Sequence, residues 1–152
     1  MQNPNSKYIV GWYENVNLPD WHISGLRAKI DTGAKTSALH VDNILLLKDS
    51  RASFEFSFER NHQTKKIKVT CKIKKKALVR SSHGTEIARL FVETTAVMGP
   101  ITKKIEISLA DRSKMKFQMI LGRNALENDF LVDVSKRQAL SSKIRRKVKS
   151  LS

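Results

Sequence analysis

Between Leu26 and Ile30 the chain alternates. Leu26, Ala28 and Ile30 are apolar, and Arg27 and Lys29 are charged. Period two marks a half-buried strand, and the strand over residues 25–30 runs directly into Asp31-Thr32-Gly33. The same period governs residues 52–59, where Phe54, Phe56 and Phe58 oppose Glu55, Ser57 and Glu59. It returns over residues 66–74, where Ile67, Val69, Cys71 and Ile73 face inward and Lys66, Lys68, Thr70, Lys72 and Lys74 face out. With Asn61-His62-Gln63 as the turn, these two runs predict a β-hairpin with an apolar inner face. Further strands are predicted over residues 8–12, 77–82, 86–97, 103–110 and 115–121, with Asp111-Arg112-Ser113 joining the last two. Residues 38–47 read as a strand that breaks at Asp42-Asn43 into a loop, and residues 15–20, with Leu18-Pro19, as a loop. A short helix over residues 124–128 and a closing strand over residues 130–134 complete an all-β pattern.

Charge changes the picture more than composition does. The length of 152 residues suits one core, but the net charge of +15 predicts attraction to polyanions: RNA, the ribosome, an acidic peptide or an anionic membrane surface. No acid follows Asp133, while Lys136, Arg137, Lys143, Arg145, Arg146, Lys147 and Lys149 do. That run reads as a solvated tail, or as a contact to RNA or the ribosome through phosphate neutralisation. The lysine face of residues 66–74 likewise reads as an edge protected from aggregation or as an anion-binding stripe. The division expected is a flexible start (1–7), one folded domain (8–140) and a basic tail (141–152). The single cysteine, Cys71, excludes an intrachain disulfide framework. No signal-peptide layout opens the chain and no apolar run is long enough to span a bilayer, so a cytoplasmic location without membrane insertion is expected.

The candidate chemistry sits at the end of the first clear strand. Asp31-Thr32-Gly33 places a carboxylate in a tight turn, and small residues after it leave the carboxylate uncrowded. The same tripeptide also reads as a type I turn opening on Asp. Two features weigh towards chemistry: Thr36-Ser37-Ala38-Leu39 close behind, and Met119-Ile120-Leu121-Gly122-Arg123-Asn124-Ala125-Leu126 far downstream. Pepsin-like and retroviral proteases complete their Asp-Thr-Gly with two apolar residues and a Gly; in the retroviral branch Arg-Asn or Arg-Asp and a short helix follow. Together with Gly11-Trp12, Leu18-Pro19 and Phe130-Leu131-Val132-Asp133, this order resembles the retropepsin-like family that carries the name ATP-dependent zinc protease. That family is associated with ligases adding glutamate to ribosomal protein.

The resemblance implies a closed β-barrel of acid-protease type with one short C-terminal helix. It implies an aspartic-type peptidase, with Asp31, Thr32 and Gly33 catalytic. Ala34, Lys35, Ile120 and Leu121 would line the substrate, Ser82, His83 and Gly84 would form a flap tip, and Gly122, Arg123 and Asn124 would be the structural motif. From the residues alone, Ser81–Thr85 is equally an ordinary hairpin turn. Such hydrolysis needs two carboxylates about 3 Å apart that share a proton. With one Asp-Thr-Gly per chain, the second carboxylate belongs to another copy, so a symmetric homodimer is expected. Thr32 would hydrogen-bond across the pair, and residues 130–134 would pair near the dimer interface. Peptide or protein is the expected substrate, acidic or glutamate-tailed in keeping with the charge; a non-catalytic basic module binding ribosome or RNA is the alternative.

Retroviral proteases place an acid two positions after the Gly, paired with the Arg of Gly-Arg. Here that position is Lys35, so Arg123 requires another partner. The residues do not support the zinc or ATP of the family's name. There is no His-Glu-x-x-His and no Walker loop, and His22, His40, His62 and His83 are scattered. No metal and no cofactor is expected; His40 and Cys71 are the side chains to inspect for a site assembled by the fold.

Overall fold

The computed structural model describes residues 6–80 and 83–140. In chain order the elements are β1 (Tyr8–Val10), β2 (Tyr13–Leu18), a 3-10 turn (Pro19–Trp21), β3 (Ile23–Ile30), β4 (Ser37–His40), β5 (Asp42–Leu47), β6 (Arg51–Arg60) and β7 (Gln63–Lys72). They continue with β8 (Lys75–Arg80), β9 (Glu86–Met98), β10 (Ile101–Ala110), β11 (Met119–Leu121), α1 (Arg123–Leu126) and β12 (Phe130–Val132). The expected closed barrel is present. Six strands follow one another as β10-β4-β11-β3-β2-β9, and β9 pairs back onto β10 to close the ring. Closure leaves these strands without a free edge. β8 extends the ring outward by pairing with β9 alone.

Alternation explains which face fills the barrel. In β3, Leu26, Ala28 and Ile30 are buried while Arg27 and Lys29 are exposed, as the sequence pattern requires. Val16, Leu39, Val92, Ile107, Met119 and Leu121 meet them in one core cluster. The predicted hairpin is β6–β7, with Phe54 opposite Val69 and Phe56 opposite Ile67. Phe54, Phe56 and Val69 join the same core, and Trp21 meets Phe54 edge-on at 5.3 Å between ring centroids. The three-stranded sheet β5-β6-β7 is thereby fastened over the barrel.

Several boundaries differ from expectation for physical reasons. Residues 15–20 are not a loop: β2 occupies most of that stretch, with Glu14, Val16 and Leu18 buried and Asn17 exposed. Buried Glu14 masks the alternation. The first strand ends at Val10 because Gly11 presses against the Lys136 carbonyl, where an added Cβ would lie 2.3 Å from the oxygen. Residues 42–47 form β5, and β11 holds only the last three residues of the strand expected over 115–121. The helix spans Arg123–Leu126, and β12 ends at Val132. Rather than waiting for another chain, β12 pairs in parallel with β1 of its own chain, Tyr8 opposite Phe130. The basic tail beyond residue 140 lies outside the described residues. No helix among the described residues is long and apolar enough to cross a membrane.

Glu14 accounts for the docking of the C-terminal segment. Its side chain is 1% exposed, and it accepts from Gly11 N–H (2.7 Å), Ala139 N–H (2.9 Å) and Leu140 N–H (3.3 Å). Removing it would strand three buried donors, each of which costs about 1–3 kcal/mol when left unpaired. Glu14→Ala is expected to lower the denaturant midpoint by the equivalent of about 3 kcal/mol, and Glu14→Gln, which keeps one acceptor oxygen, by less.

Candidate active site

Asp31 is positioned by the barrel itself. Its N–H donates to the Leu121 carbonyl at 2.9 Å, prolonging the parallel pairing of β3 with β11 by one residue. The side chain then turns back into its own loop, where Oδ1 accepts the Gly33 N–H at 3.0 Å. The turn reading and the site reading of Asp31-Thr32-Gly33 are therefore compatible: the turn holds the carboxylate. Asp31 is half-buried, and Thr32 and Gly33 are exposed.

The downstream motif interlocks with this loop. Arg123 N–H donates to the Ala34 carbonyl (2.8 Å) and Asn124 N–H to the Lys35 carbonyl (2.9 Å). Ser37 Oγ accepts the Gly122 N–H at 3.1 Å, while its carbonyl accepts from Ser108 Oγ at 3.3 Å. Gly122 packs so closely that a Cβ there would lie 2.6 Å from the Thr36 carbonyl carbon. Arg123 needs no acid: its Nη1 donates to the Thr32 carbonyl at 3.0 Å, which removes the conflict posed by Lys35. Met119 and Leu121 point into the core, leaving Ile120, between them, on the opposite face. Leu121 thus serves the site through its carbonyl rather than by walling it.

Sequence reasoning missed two arginines. Burial pushes the half-buried Arg112 guanidinium below its usual value; the Asp31 carboxylate raises it and Arg89 lowers it further. Arg112 is held by its Nε to the Phe117 carbonyl (3.3 Å) and by its N–H to His40 Nδ1 (2.7 Å). Arg89 stands opposite Ala77 in the β8–β9 hairpin, so the base of that hairpin and Asp31 act on the same guanidinium. No local pattern marks Arg112 or Arg89; only the fold brings Asp31 and Arg89 to bear on Arg112. At the hairpin's far end, His83 and Gly84 are exposed, and Gly84 has φ +81°, a conformation natural to glycine. Ser82 lies outside the described residues. Lys35 and Asn124 are exposed, and Ala34 is half-buried.

His40 and Cys71 do not make a zinc site. His40 Nδ1 is already an acceptor for Arg112 N–H, and Nε2 stands 3.4 Å from Asp42 Oδ1. Cys71 is half-buried on β7, and burial pushes its thiol up, away from the thiolate a metal would need. Among the described residues, no three His, Cys, Asp or Glu side chains converge on a metal position. A cleft of about 220 Å³ runs between the start of β3 and the end of β6, lined by residues such as Leu26, Phe56 and Gln118, and excludes Asp31.

Comparison with known proteins agrees with the fold. A family model described as RimB-like, retropepsin-like aspartic endopeptidase RimB, matches residues 9–143. A probable alpha-L-glutamate ligase of Shewanella pealeana is 29% identical over 142 residues, covering 91% of this chain and 31% of the relative. Another, of Parasynechococcus marenigrum, is 32% identical over 130 residues, covering 84% of this chain and 28% of the relative. The chain thus spans under a third of the curated relatives it matches. A crystal structure of a Legionella pneumophila protein of unknown function superimposes with a TM-score of 0.70 at 25% identity, covering 89% of this chain and 99% of the other.

Proposed function

The chain belongs to the RimB-like family of retropepsin-like aspartic endopeptidases, and from that membership we propose that it hydrolyses peptide bonds with a water held between the Asp31 carboxylates of two copies. The observation that carries this reading is the interlock of Asp31-Thr32-Gly33 with Gly122-Arg123-Asn124, which fixes a carboxylate at a strand end on an open surface. One ionised carboxylate deprotonates the water and its protonated counterpart polarises the scissile carbonyl. Thr32 braces the pair across the two-fold, and Gly33 keeps the two loops close. Ala34, Lys35 and Ile120 border the substrate, and the β8–β9 hairpin, with His83 and Gly84 in its turn, closes over it.

An acidic substrate, with a glutamate tail as the simplest case, fits a net charge of +15, the exposed Lys35 and Arg112, which feels both Asp31 and Arg89. The names of the curated relatives fit the same chemistry. The test is cleavage of a glutamate-tailed peptide beside a neutral one over a range of protein concentrations. Activity per chain should rise with concentration as the two-copy site assembles. A rate per chain that is constant through the monomer–dimer transition would contradict the shared site. Lys35→Glu is expected to lower the acidic-to-neutral cleavage ratio about tenfold, equivalent to about 1.4 kcal/mol, with Arg112→Gln acting in the same direction. An unchanged ratio in both would show that neither residue reads substrate charge.

A second reading, a basic module that binds ribosome or RNA without cleaving anything, is favoured by β7. Its exposed Lys66, Lys68 and Lys72 form no ion pairs among the described residues. Under that reading no peptide is cleaved, and binding weakens steeply with salt through phosphate contacts.

A further inference from the structure

The two edges of the β5-β6-β7 sheet are built differently. β7 carries Lys65, Lys66, Lys68 and Lys72, all exposed, along its free edge. Lysine on an edge opposes pairing with another chain. β5, the other edge, carries Ile44, Leu45, Leu46 and Leu47, which are 40%, 56%, 60% and 44% exposed. A strand with both faces in solvent buries nothing by alternation, so its apolar residues gain nothing from this chain's own core. Its inner hydrogen bonds go to β6, with Leu45 opposite Ser53, Leu46 opposite Ala52 and Leu47 opposite Arg51, which leaves its outer backbone groups without a strand partner among the described residues.

We propose that β5 is an interface between copies of this chain, pairing antiparallel with β5 of a second copy to join two three-stranded sheets into one of six. Charge selects this occupant and this direction. The strand is apolar in its middle, with Asp42 at one end and Lys48 just beyond the other. Antiparallel pairing about a two-fold sets the Asp42 end of each strand beside the Lys48 end of its counterpart; parallel pairing would align like ends. The surface is therefore complementary to itself, as an isologous contact requires. A chain of charge +15 repels its own copies, and this four-residue stretch is free of lysine. The bulge between Asp42 and Leu45, with Asn43 at φ +53°, confines regular pairing to the Leu45–Leu47 half of the strand and so limits its reach. The argument for this interface does not depend on the proposed catalysis.

The test is sedimentation of the native protein and of the double variant Leu45→Lys/Leu46→Lys. Both positions are exposed, so folding is expected to survive, with circular dichroism and the thermal midpoint as the check. With the two-fold at Leu45, where Asp42 of each copy meets Lys48 of the other, the introduced lysines of the two copies crowd together, and the variant is expected to sediment at half the native mass, whichever other face is in use. Leu131→Lys, at an exposed apolar position on β12, should leave the β5-dependent step intact. As an independent measurement, Leu45→Cys in a Cys71→Ser background should give a disulfide-linked dimer on mild oxidation, with peptidase activity scored separately. A native protein that stays monomeric at every concentration, a double variant of unchanged mass, or failure of Leu45→Cys to cross-link would each overturn the proposal. A β5 that instead takes a strand from a different protein would appear as the first of these outcomes.

Discussion

Asp31→Asn is expected to lower the turnover of peptide substrate by roughly 10²- to 10⁴-fold, the range set by loss of one general acid–base group, while leaving the fold in place. The substitution is nearly isosteric, and Asn Oδ1 can still accept the Gly33 N–H that Asp31 Oδ1 accepts at 3.0 Å. The backbone bond from residue 31 to the Leu121 carbonyl is untouched. Melting and sedimentation should therefore match the native protein. What is lost is the group that takes a proton from water. A mixing experiment separates a shared site from a single-chain site. Excess Asp31→Asn chains drive native chains into mixed pairs with a single carboxylate, so activity per native chain should fall as variant is added. Activity that stays proportional to native chain alone would show that each chain works unaided, and the two-copy proposal would be lost. Native protein that cleaves no peptide at all, but binds RNA as well as the variant does, would favour the binding module.

The parts of the fold legible in the sequence are those where one residue reports on one face. Leu26, Ala28 and Ile30 announce a strand because each buries its own side chain, and Phe54 and Phe56 do the same for β6. The pattern misleads where burial and polarity part company. Glu14 is charged yet 1% exposed, because three backbone donors replace its water. Residues 44–47 are apolar yet exposed, so a stretch that looks like core lies on an edge. The site divides in the same way. Asp31 and Gly122 stand in recognisable motifs, but Arg123's partner is the Thr32 carbonyl, and a carbonyl has no letter in a sequence. Asp31 and Arg89 are brought to Arg112 only by the meeting of a strand end, a hairpin and a loop.

Gly122→Ala is expected to damage the site more than it damages the fold. The backbone of Gly122, at φ −88° and ψ 178°, is one that any residue adopts, so glycine is not there for conformational freedom. It is there because the chain from Ala34 to Thr36 crosses it. An added Cβ would lie 2.6 Å from the Thr36 carbonyl carbon, 2.7 Å from its oxygen and 2.9 Å from the Ala34 oxygen, all of them backbone atoms that cannot rotate away. Relief requires the crossing segments to part, which lengthens the bonds from Arg123 N–H to Ala34 and from Asn124 N–H to Lys35. Overpacking of this kind costs about 1–3 kcal/mol of stability. The Asp31 loop, tied to the same crossing through Arg123, moves with it, and a shift of about 1 Å at reacting groups costs about 10²-fold in rate. Gly25 supplies the contrast: a Cβ there meets nothing within 4 Å, but φ is +66°. Gly25→Ala should cost about 1 kcal/mol of backbone strain and leave turnover unchanged. Equal activity in the two variants would mean that the crossing at Gly122 does not position Asp31. A selective loss in Gly122→Ala would tie the carboxylate's placement to a contact made about ninety residues away in the chain.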